Sequence, residues 1–114
     1  MSDLMALNGP RVPAASGGKA RQLVILVHGV GADGNDLIGL APAFARVLPN
    51  AAFVSPNAPY RFDMAPHGYQ WFSIGMQDPE LRLAQVRQTA QILNAFIDEE
   101  LKRCELTDDK LALV

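Results

Sequence analysis

The chain has 114 residues, of which 49% are hydrophobic and 19% are charged, and its formal net charge is −2. This length is that of one domain, and the composition is typical of a globular protein rather than a disordered one. The slight negative charge and the lack of a basic stripe argue against nucleic acid as a partner.

The amino-terminal residues resemble no targeting signal. Residues 1–5 have neither the basic start nor the apolar stretch of a secretory signal. No apolar run reaches the roughly 20 residues of a membrane-spanning helix. We therefore expect a cytoplasmic protein without a membrane span. The only cysteine, Cys104, permits neither an internal disulfide nor a cysteine-rich metal site, and Met64 and His67 have no supporting ligands, so we expect no bound metal.

The chain begins with weak strand signals that lead into a strong one. Residues 4–14 are compatible with one or two short strands, broken by the turn sequence Asn8-Gly9-Pro10. Residues 22–27 form a short, almost uniformly apolar run. Such a run is typical of a strand that is covered on both faces.

A helix and a second strand are expected next. Asn35 or Asp36 can cap a helix that runs to about Val47, with a bent or irregular start because of Pro42. Residues 51–55 are apolar and end before a proline, so they predict a second buried strand.

A long segment without periodicity, residues 57–79, is rich in proline, glycine and aromatic residues. Loops of this length usually carry function or are disordered, and the aromatic side chains argue against disorder. Residues 80–103 then predict an amphipathic helix that faces the core. Its apolar stripe has members three and four positions apart: Leu83, Val86, Ala90, Leu93, Ile97 and Leu101.

The last predicted elements are a turn at residues 106–110 and an apolar strand over residues 111–114. Strands and helices therefore alternate along the chain. This order predicts an α/β fold in which a mostly parallel sheet has helices on both faces.

The candidate site directly follows the strand of residues 22–27, in the sequence His28-Gly29-Val30-Gly31-Ala32-Asp33-Gly34. Glycines here let the backbone turn tightly and bring bare N–H groups close to a ligand. Because α/β proteins bind ligands at the carboxyl ends of their strands, this turn predicts a ligand site.

Dinucleotide binding is one chemistry to consider, since the turn matches Gly-x-Gly-x-x-Gly between a strand and a helix. However, Asp33 and Asp36 place two carboxylates where the pyrophosphate would bind. The acidic residue that binds the ribose is expected about 20 residues further on. The chain has Ser55, Pro56 and Asn57 there, which argues against a dinucleotide site.

An oxyanion hole is the other chemistry, in which a backbone N–H binds the carbonyl oxygen of an acyl substrate as it becomes negative. Gly29 would let the acyl group approach without a clashing Cβ. In α/β-hydrolases one donor comes from a strand-to-helix loop of this kind, and the other from the residue after the nucleophile.

Four segments, in order, resemble the phospholipase/carboxylesterase family, the bacterial relatives of acyl-protein thioesterases. They are His28–Leu37, then Pro56–Pro59 after the next strand, the aromatic loop Gly68–Phe72, and Leu111–Val114. The last is similar to the strand that leads into the nucleophile. The resemblance implies that residues 1–114 are a single incomplete α/β-hydrolase domain, ending at the strand that precedes the nucleophile elbow.

The resemblance also implies roles for particular residues. Val30 would be an oxyanion donor through its backbone N–H, while Gly29, Trp71 and Phe72 would bind the substrate. For Trp71, a plain position in the core is the alternative. The residues that would shape the turn, without touching the substrate, are His28, Gly31, Asp33, Gly34 and Asp36.

The family hydrolyses carboxylic esters or thioesters, without a cofactor, through a Ser-His-Asp triad whose serine lies on a Gly-x-Ser-x-Gly elbow. No such elbow occurs in this sequence. Ser73, His67 and Asp63 share one loop, but nothing in the sequence positions them as a triad. We therefore expect the chain to be part of a serine esterase with a small ester or thioester as partner, and to be inactive by itself.

Two alternatives stay open from the residues. The chain could be a non-catalytic module that binds a partner or oligomerises, or the dinucleotide-binding domain considered above. A parallel sheet that ends at Val114 would present an unpaired apolar edge, so self-association through that edge is also expected.

Overall fold

The computed structural model describes residues 6–114. Residues 4 and 5 of the first predicted strand segment lie outside this range. In chain order the elements are β1 Arg11–Val12, β2 Gln22–Ile25, α1 Gly34–Ile38, α2 Ala41–Ala45, β3 Ala51–Val54, β4 Tyr60–Arg61, β5 Tyr69–Gln70, α3 Pro79–Cys104 and β6 Leu111–Leu113. A single 3-10 turn, Asp108–Lys110, leads into β6, within the segment predicted as a turn.

The main sheet has four strands in the order β1-β3-β2-β6. β2 runs parallel to both β3 and β6, whereas β1 pairs with β3 in the antiparallel direction. The prediction of a mostly parallel sheet is thus confirmed. β2 lies between β3 and β6. This central position agrees with its continuous apolar run, because a run of that kind is typical of a strand that is buried on both faces.

Helices cover both faces of this sheet, as predicted. Leu23 and Ile25 point to the face where α3 packs, and they belong to the same core cluster as Ile92 and Phe96 of that helix. Val24 points to the opposite face, in the cluster against which α1 and α2 pack. Alternate residues of β2 therefore belong to two separate cores, which follows from the two-residue period of a strand.

The single helix expected up to Val47 is wrong, because the chain forms two short helices instead. Pro42 lies in the first turn of α2, where its missing N–H costs no hydrogen bond. The N-cap of α1 is Asp33, rather than Asn35 or Asp36. Asp36 completes a capping box, since the Asp33 and Asp36 side chains each accept the backbone N–H of the other residue.

The predicted bounds of α3 agree with the structure to within a residue. However, the prediction of its core-facing stripe is wrong for half of the residues, which are exposed. Leu83 is 49% exposed and Val86 is 37% exposed. The residues that α3 does bury are Thr89, Ile92, Phe96, Ile97, Glu100 and Leu101. The helix is rotated away from its apolar stripe, because two of these buried residues are polar and have specific partners.

The polar residue that ties α3 to the sheet is Glu100. Its carboxylate is 3% exposed and accepts hydrogen bonds from the Arg11 guanidinium of β1. A buried carboxylate needs such a partner, since burying an unpaired charge is costly. This pair joins the edge strand β1 to the carboxyl-terminal half of α3.

The segment of residues 57–79 contains a small two-stranded sheet. β4 and β5 pair in the antiparallel direction, with Tyr60 opposite Gln70 and Arg61 opposite Tyr69. We refer to residues 60–70 as the aromatic hairpin. It lies beside the turn that follows β2, as described below.

Cys104, the last residue of α3, is half-buried. Burial, and secondarily the negative charge of Glu100, raises the pKa of its thiol. Because the thiolate is the reactive form, a higher pKa leaves less of it at a given pH. We expect iodoacetamide to label Cys104 more slowly in the folded chain than in the urea-unfolded chain at about pH 8. Equal rates in the two states would contradict this expectation.

Candidate active site

The turn after β2 lies at the carboxyl ends of three parallel strands. The pairing of β2 continues beyond Ile25 on both sides: the Leu26 N–H donates to the Val54 carbonyl (2.9 Å), and the Val27 N–H donates to the Val114 carbonyl (2.8 Å). The backbone that enters the turn is therefore held on both edges. Open α/β sheets bind their ligands at this end.

His28, the first residue of the turn, is 2% exposed and has both ring nitrogens engaged. Nε2 accepts the Ala58 N–H at 3.0 Å, and Nδ1 lies 2.6 Å from the Gly29 carbonyl oxygen. This pattern assigns the proton to Nδ1, which donates to the carbonyl. A general base needs a free nitrogen, so the geometry favours a structural role for His28.

Trp71 crosses from the segment after β5 to the strand end that carries the turn. Its Nε1–H donates to the His28 carbonyl at 2.8 Å, and its ring lies 5.4 Å from the His28 imidazole, centroid to centroid. Trp71 is half-buried and packs against the core on the α3 face. Trp71 therefore contacts both the core and the strand end that leads into the turn. Phe72 is half-buried as well.

The aromatic hairpin holds the middle of the turn through two backbone hydrogen bonds. The Gly31 N–H donates to the Tyr69 carbonyl, and the Tyr69 N–H donates to the Ala32 carbonyl, both at 2.8 Å. A third bond, from the Ala32 N–H to the Gly29 carbonyl at 3.2 Å, closes the turn on itself. The turn is thus paired with β5 almost as a strand would be.

The start of α1 is fixed by residues that follow β3. The Gly34 N–H donates to Asn57 Oδ1 at 2.7 Å. A Cβ on Gly34 would lie 2.1 Å from the Ser55 carbonyl oxygen, closer than any side chain can approach backbone. Glycine at this position lets the beginning of α1 pack directly against the end of β3.

Two unpaired backbone donors of the turn belong to exposed residues. Within the described residues 6–114, the N–H groups of His28, Gly29 and Val30 have no hydrogen-bond partner, whereas those of Gly31, Ala32, Asp33 and Gly34 do. His28 is buried, but Gly29 and Val30 are exposed. A Cβ on Gly29 would meet nothing within 4 Å, so the space beside it is open. Val30 is 47% exposed. The turn presents two free donors to an accessible space.

The loop residues Ser73 and Asp63 do meet, but not as part of a triad. Ser73 Oγ donates to Asp63 Oδ2 at 2.6 Å. This bond lowers the pKa of Asp63, which makes the exposed carboxylate a weaker base. In the part of the chain that the structure describes, His67 is exposed and no hydrogen bond links it to Ser73. A nucleophile is activated by an adjacent base with a suitable pKa, and this pair does not supply one.

Among residues 6–114 there is no group of three or more His, Cys, Asp or Glu residues that could hold a metal ion. No helix within the same range is long and apolar enough to cross a membrane.

The chain has an α/β fold of the kind found in esterases. Its mostly parallel sheet is covered by helices on both faces, and a glycine turn follows the central strand. Esterase PE8 superposes with a TM-score of 0.86 and 37% identity over 96% of this chain, and a carboxylesterase from Mesorhizobium loti superposes with a TM-score of 0.65 and 26% identity over 99%. The match covers 51% and 49% of those two chains, so this chain spans about half their length.

The family model for phospholipases and carboxylesterases matches residues 8–114. The chain therefore belongs to the phospholipase/carboxylesterase family, and the family resemblance found in the sequence is confirmed.

The structure brings most of the sequence-predicted site residues together around one turn, namely His28, Gly29, Val30, Gly31, Asp33, Gly34, Asp36 and Trp71. Sequence reasoning missed the residues that hold this turn from outside it. Asn57 lies in a segment that the family resemblance marked, but its bond to Gly34 was not foreseen. Tyr69 acts through its backbone, which leaves no signal in a side-chain pattern.

Proposed function

We propose that this chain forms the first half of the acyl site of a serine carboxylic ester hydrolase, acting on carboxylic esters or thioesters. In this proposal the Val30 N–H is one oxyanion donor, and Trp71 and Phe72 form part of the wall beside the substrate. The turn residues His28, Gly31, Asp33, Gly34 and Asp36 shape the loop without touching the substrate.

The observation that carries the proposal is the unpaired N–H of the exposed residue Val30, in a turn whose donors from Gly31 to Gly34 are all engaged within the described residues. An oxyanion hole requires donors that are fixed in place and not already satisfied by the protein. The open space beside Gly29 leaves room for the acyl carbon. Family membership independently supports ester hydrolysis as the chemistry.

The chemistry in this proposal is acyl transfer. A serine hydroxyl attacks the ester carbonyl, the carbonyl oxygen becomes negative, and the alcohol or thiol leaves to give an acyl-enzyme that water hydrolyses. The Val30 N–H would donate to the negative oxygen in both steps. The nucleophile, its base and the second donor would come from outside these 114 residues, because no Gly-x-Ser-x-Gly elbow occurs among them.

We expect the 114-residue chain by itself not to turn over p-nitrophenyl butyrate above the buffer rate. The matched test is a fusion of this chain to the part of esterase PE8 that lies beyond the matched 51%. The fusion is expected to hydrolyse the ester and to lose activity after treatment with a fluorophosphonate. Turnover by the isolated chain that a fluorophosphonate inhibits, or a fusion that is folded by circular dichroism but inactive, would contradict the proposal.

A second candidate function is self-association through β6. This strand lies at one edge of the main sheet, and Leu113 and Val114 are 55% and 51% exposed. Unpaired, apolar edge strands pair readily with other chains. We expect sedimentation velocity to detect dimers or larger species whose fraction rises with protein concentration. A single monomeric species at all concentrations would count against this candidate and would leave the esterase proposal unaffected.

A further inference from the structure

Two polar side chains of α3, those of Gln85 and Thr89, form hydrogen bonds to the backbone of the segment that carries Trp71. We refer to these two hydrogen bonds as the grip. Thr89 Oγ1 donates to the Trp71 carbonyl at 2.6 Å, and Gln85 Oε1 accepts the Ser73 N–H at 2.8 Å. Residues four apart, such as Gln85 and Thr89, lie on the same face of a helix. One helix face therefore binds two successive points of this backbone.

The burial of Thr89 indicates that this grip is specific. Threonine is a poor helix former, and its hydroxyl often bonds back to its own helix. Thr89 is 5% exposed and bonds outside its helix instead. The helix thus presents Thr89 to the Trp71 segment.

The contacts continue from α3 to the oxyanion turn. Thr89 holds the Trp71 backbone, and the Trp71 indole N–H donates to the His28 carbonyl. His28 lies two residues before Val30, at the end of the central strand. A displacement of the Trp71 segment would therefore move the indole away from the strand end that leads into the turn.

We propose that Gln85 and Thr89 are positioning residues, which hold Trp71 as a fixed wall beside the oxyanion turn and so set the place of the substrate acyl group. The proposal rests on the function proposed above. It assigns to α3 a role in the site although neither side chain contacts the turn. Small misplacements of positioning groups are known to lower rates strongly even when the reacting groups are intact.

Trp71 is the only tryptophan of the chain, so tryptophan fluorescence reports on the surroundings of this one indole. In the 114-residue chain, Thr89→Val removes the hydroxyl at nearly constant size, and Gln85→Leu removes the acceptor. Both are expected to shift the emission to longer wavelength and to raise the acrylamide quenching constant roughly twofold, because the released indole opens to solvent more often.

Two matched variants separate the grip from general damage to the helix. Thr89→Ser keeps the hydroxyl and is expected to restore the wild-type emission. Gln91→Leu changes an exposed glutamine of the same helix and is expected to leave the emission unchanged. Wild-type emission in Thr89→Val and Gln85→Leu, with α3 intact by far-ultraviolet circular dichroism, would overturn the proposal. Failure of Thr89→Ser to restore the emission would overturn it as well.

Hydrolysis of p-nitrophenyl butyrate by the fusion with the remainder of esterase PE8 then tests the link to the acyl site. The fusion with the wild-type chain is expected to hydrolyse the ester, and Thr89→Val is expected to lower its kcat/KM roughly tenfold, because the wall is no longer fixed. Spectral shifts in the variants of the 114-residue chain together with a folded but inactive wild-type fusion would contradict the acyl-site function, but not the hydrogen bonds of Thr89 and Gln85. A kcat/KM that is equal in the wild-type and Thr89→Val fusions would overturn the positioning role alone.

Discussion

Replacing the Val30 amide with an ester linkage is expected to lower kcat of the fusion with the remainder of esterase PE8 by roughly 10²–10³-fold, with KM little changed. The replacement is made by incorporating the α-hydroxy acid analogue of valine, which exchanges the backbone N–H for an oxygen and keeps the side chain. The loss falls on kcat because the hydrogen bond strengthens only when the substrate oxygen becomes negative.

Two controls make this experiment decisive. Val30→Ala keeps the N–H and is expected to retain kcat to within about threefold, since the donor belongs to the backbone. The same ester replacement at Gly29 removes the N–H of the other exposed turn residue whose donor has no partner within residues 6–114. A large loss at Gly29 with none at Val30 would reassign the donor, and no loss at either position would contradict an oxyanion role for the turn.

Gly68→Ala is expected to destabilise the chain by about 3 kcal/mol, more than an alanine at an unhindered glycine of similar backbone conformation. Gly68 has a φ of +92°, which strains any residue with a Cβ. In addition, its Cβ would lie 2.1 Å from the Gly31 carbonyl oxygen, which is backbone and cannot yield without moving the turn.

The chain contains a matched control for the steric part of this effect. Gly17 has a φ of +81°, and a Cβ there would meet nothing within 4 Å. Gly17→Ala therefore introduces the same kind of strain without the clash, and we expect it to cost only about 1 kcal/mol. Urea unfolding of both variants measures the difference. Equal free energies of unfolding would mean that the aromatic hairpin does not hold the turn tightly.

The sequence was sufficient to predict the strands that consist of continuous apolar residues. The runs that contain β2, β3 and β6 identify themselves because each is short and continuously hydrophobic, and their order along the chain predicts a parallel sheet. The glycine turn after β2 follows from the same run. These features depend on residues that are neighbours in the sequence.

The rotation of α3 could not be predicted in the same way. Its buried face includes Thr89 and Glu100, which an apolar pattern counts as solvent-facing. Glu100 is buried because Arg11, 89 positions away, neutralises it, and Thr89 because the Trp71 carbonyl accepts its hydroxyl. Polar residues that are buried by a distant partner carry no periodic signal.

The candidate site, too, could be predicted only in part from the sequence. The residue types of the turn predict that N–H groups face a ligand, but not which ones remain free. That depends on Tyr69, which takes up the Gly31 N–H, and on Asn57, which takes up the Gly34 N–H. Both assignments require the tertiary structure, since each partner lies more than 20 positions further along the chain.

The way in which the turn is held has a consequence for the order of folding. Although its residues are consecutive, the bonds that shape it span 23 positions to Asn57, 30 to Ala58 and 43 to Trp71. Non-local contacts form only after the entropy of closing the intervening loops has been lost. β2 and β3 pair across 29 positions, whereas the Gly31 amide bonds to Tyr69 across 38, so we expect hydrogen exchange during refolding to protect β2 and β3 before the Gly31 amide. The geometry proposed for the oxyanion turn would then be among the last features of the chain to appear in time, although its sequence is the easiest to recognise.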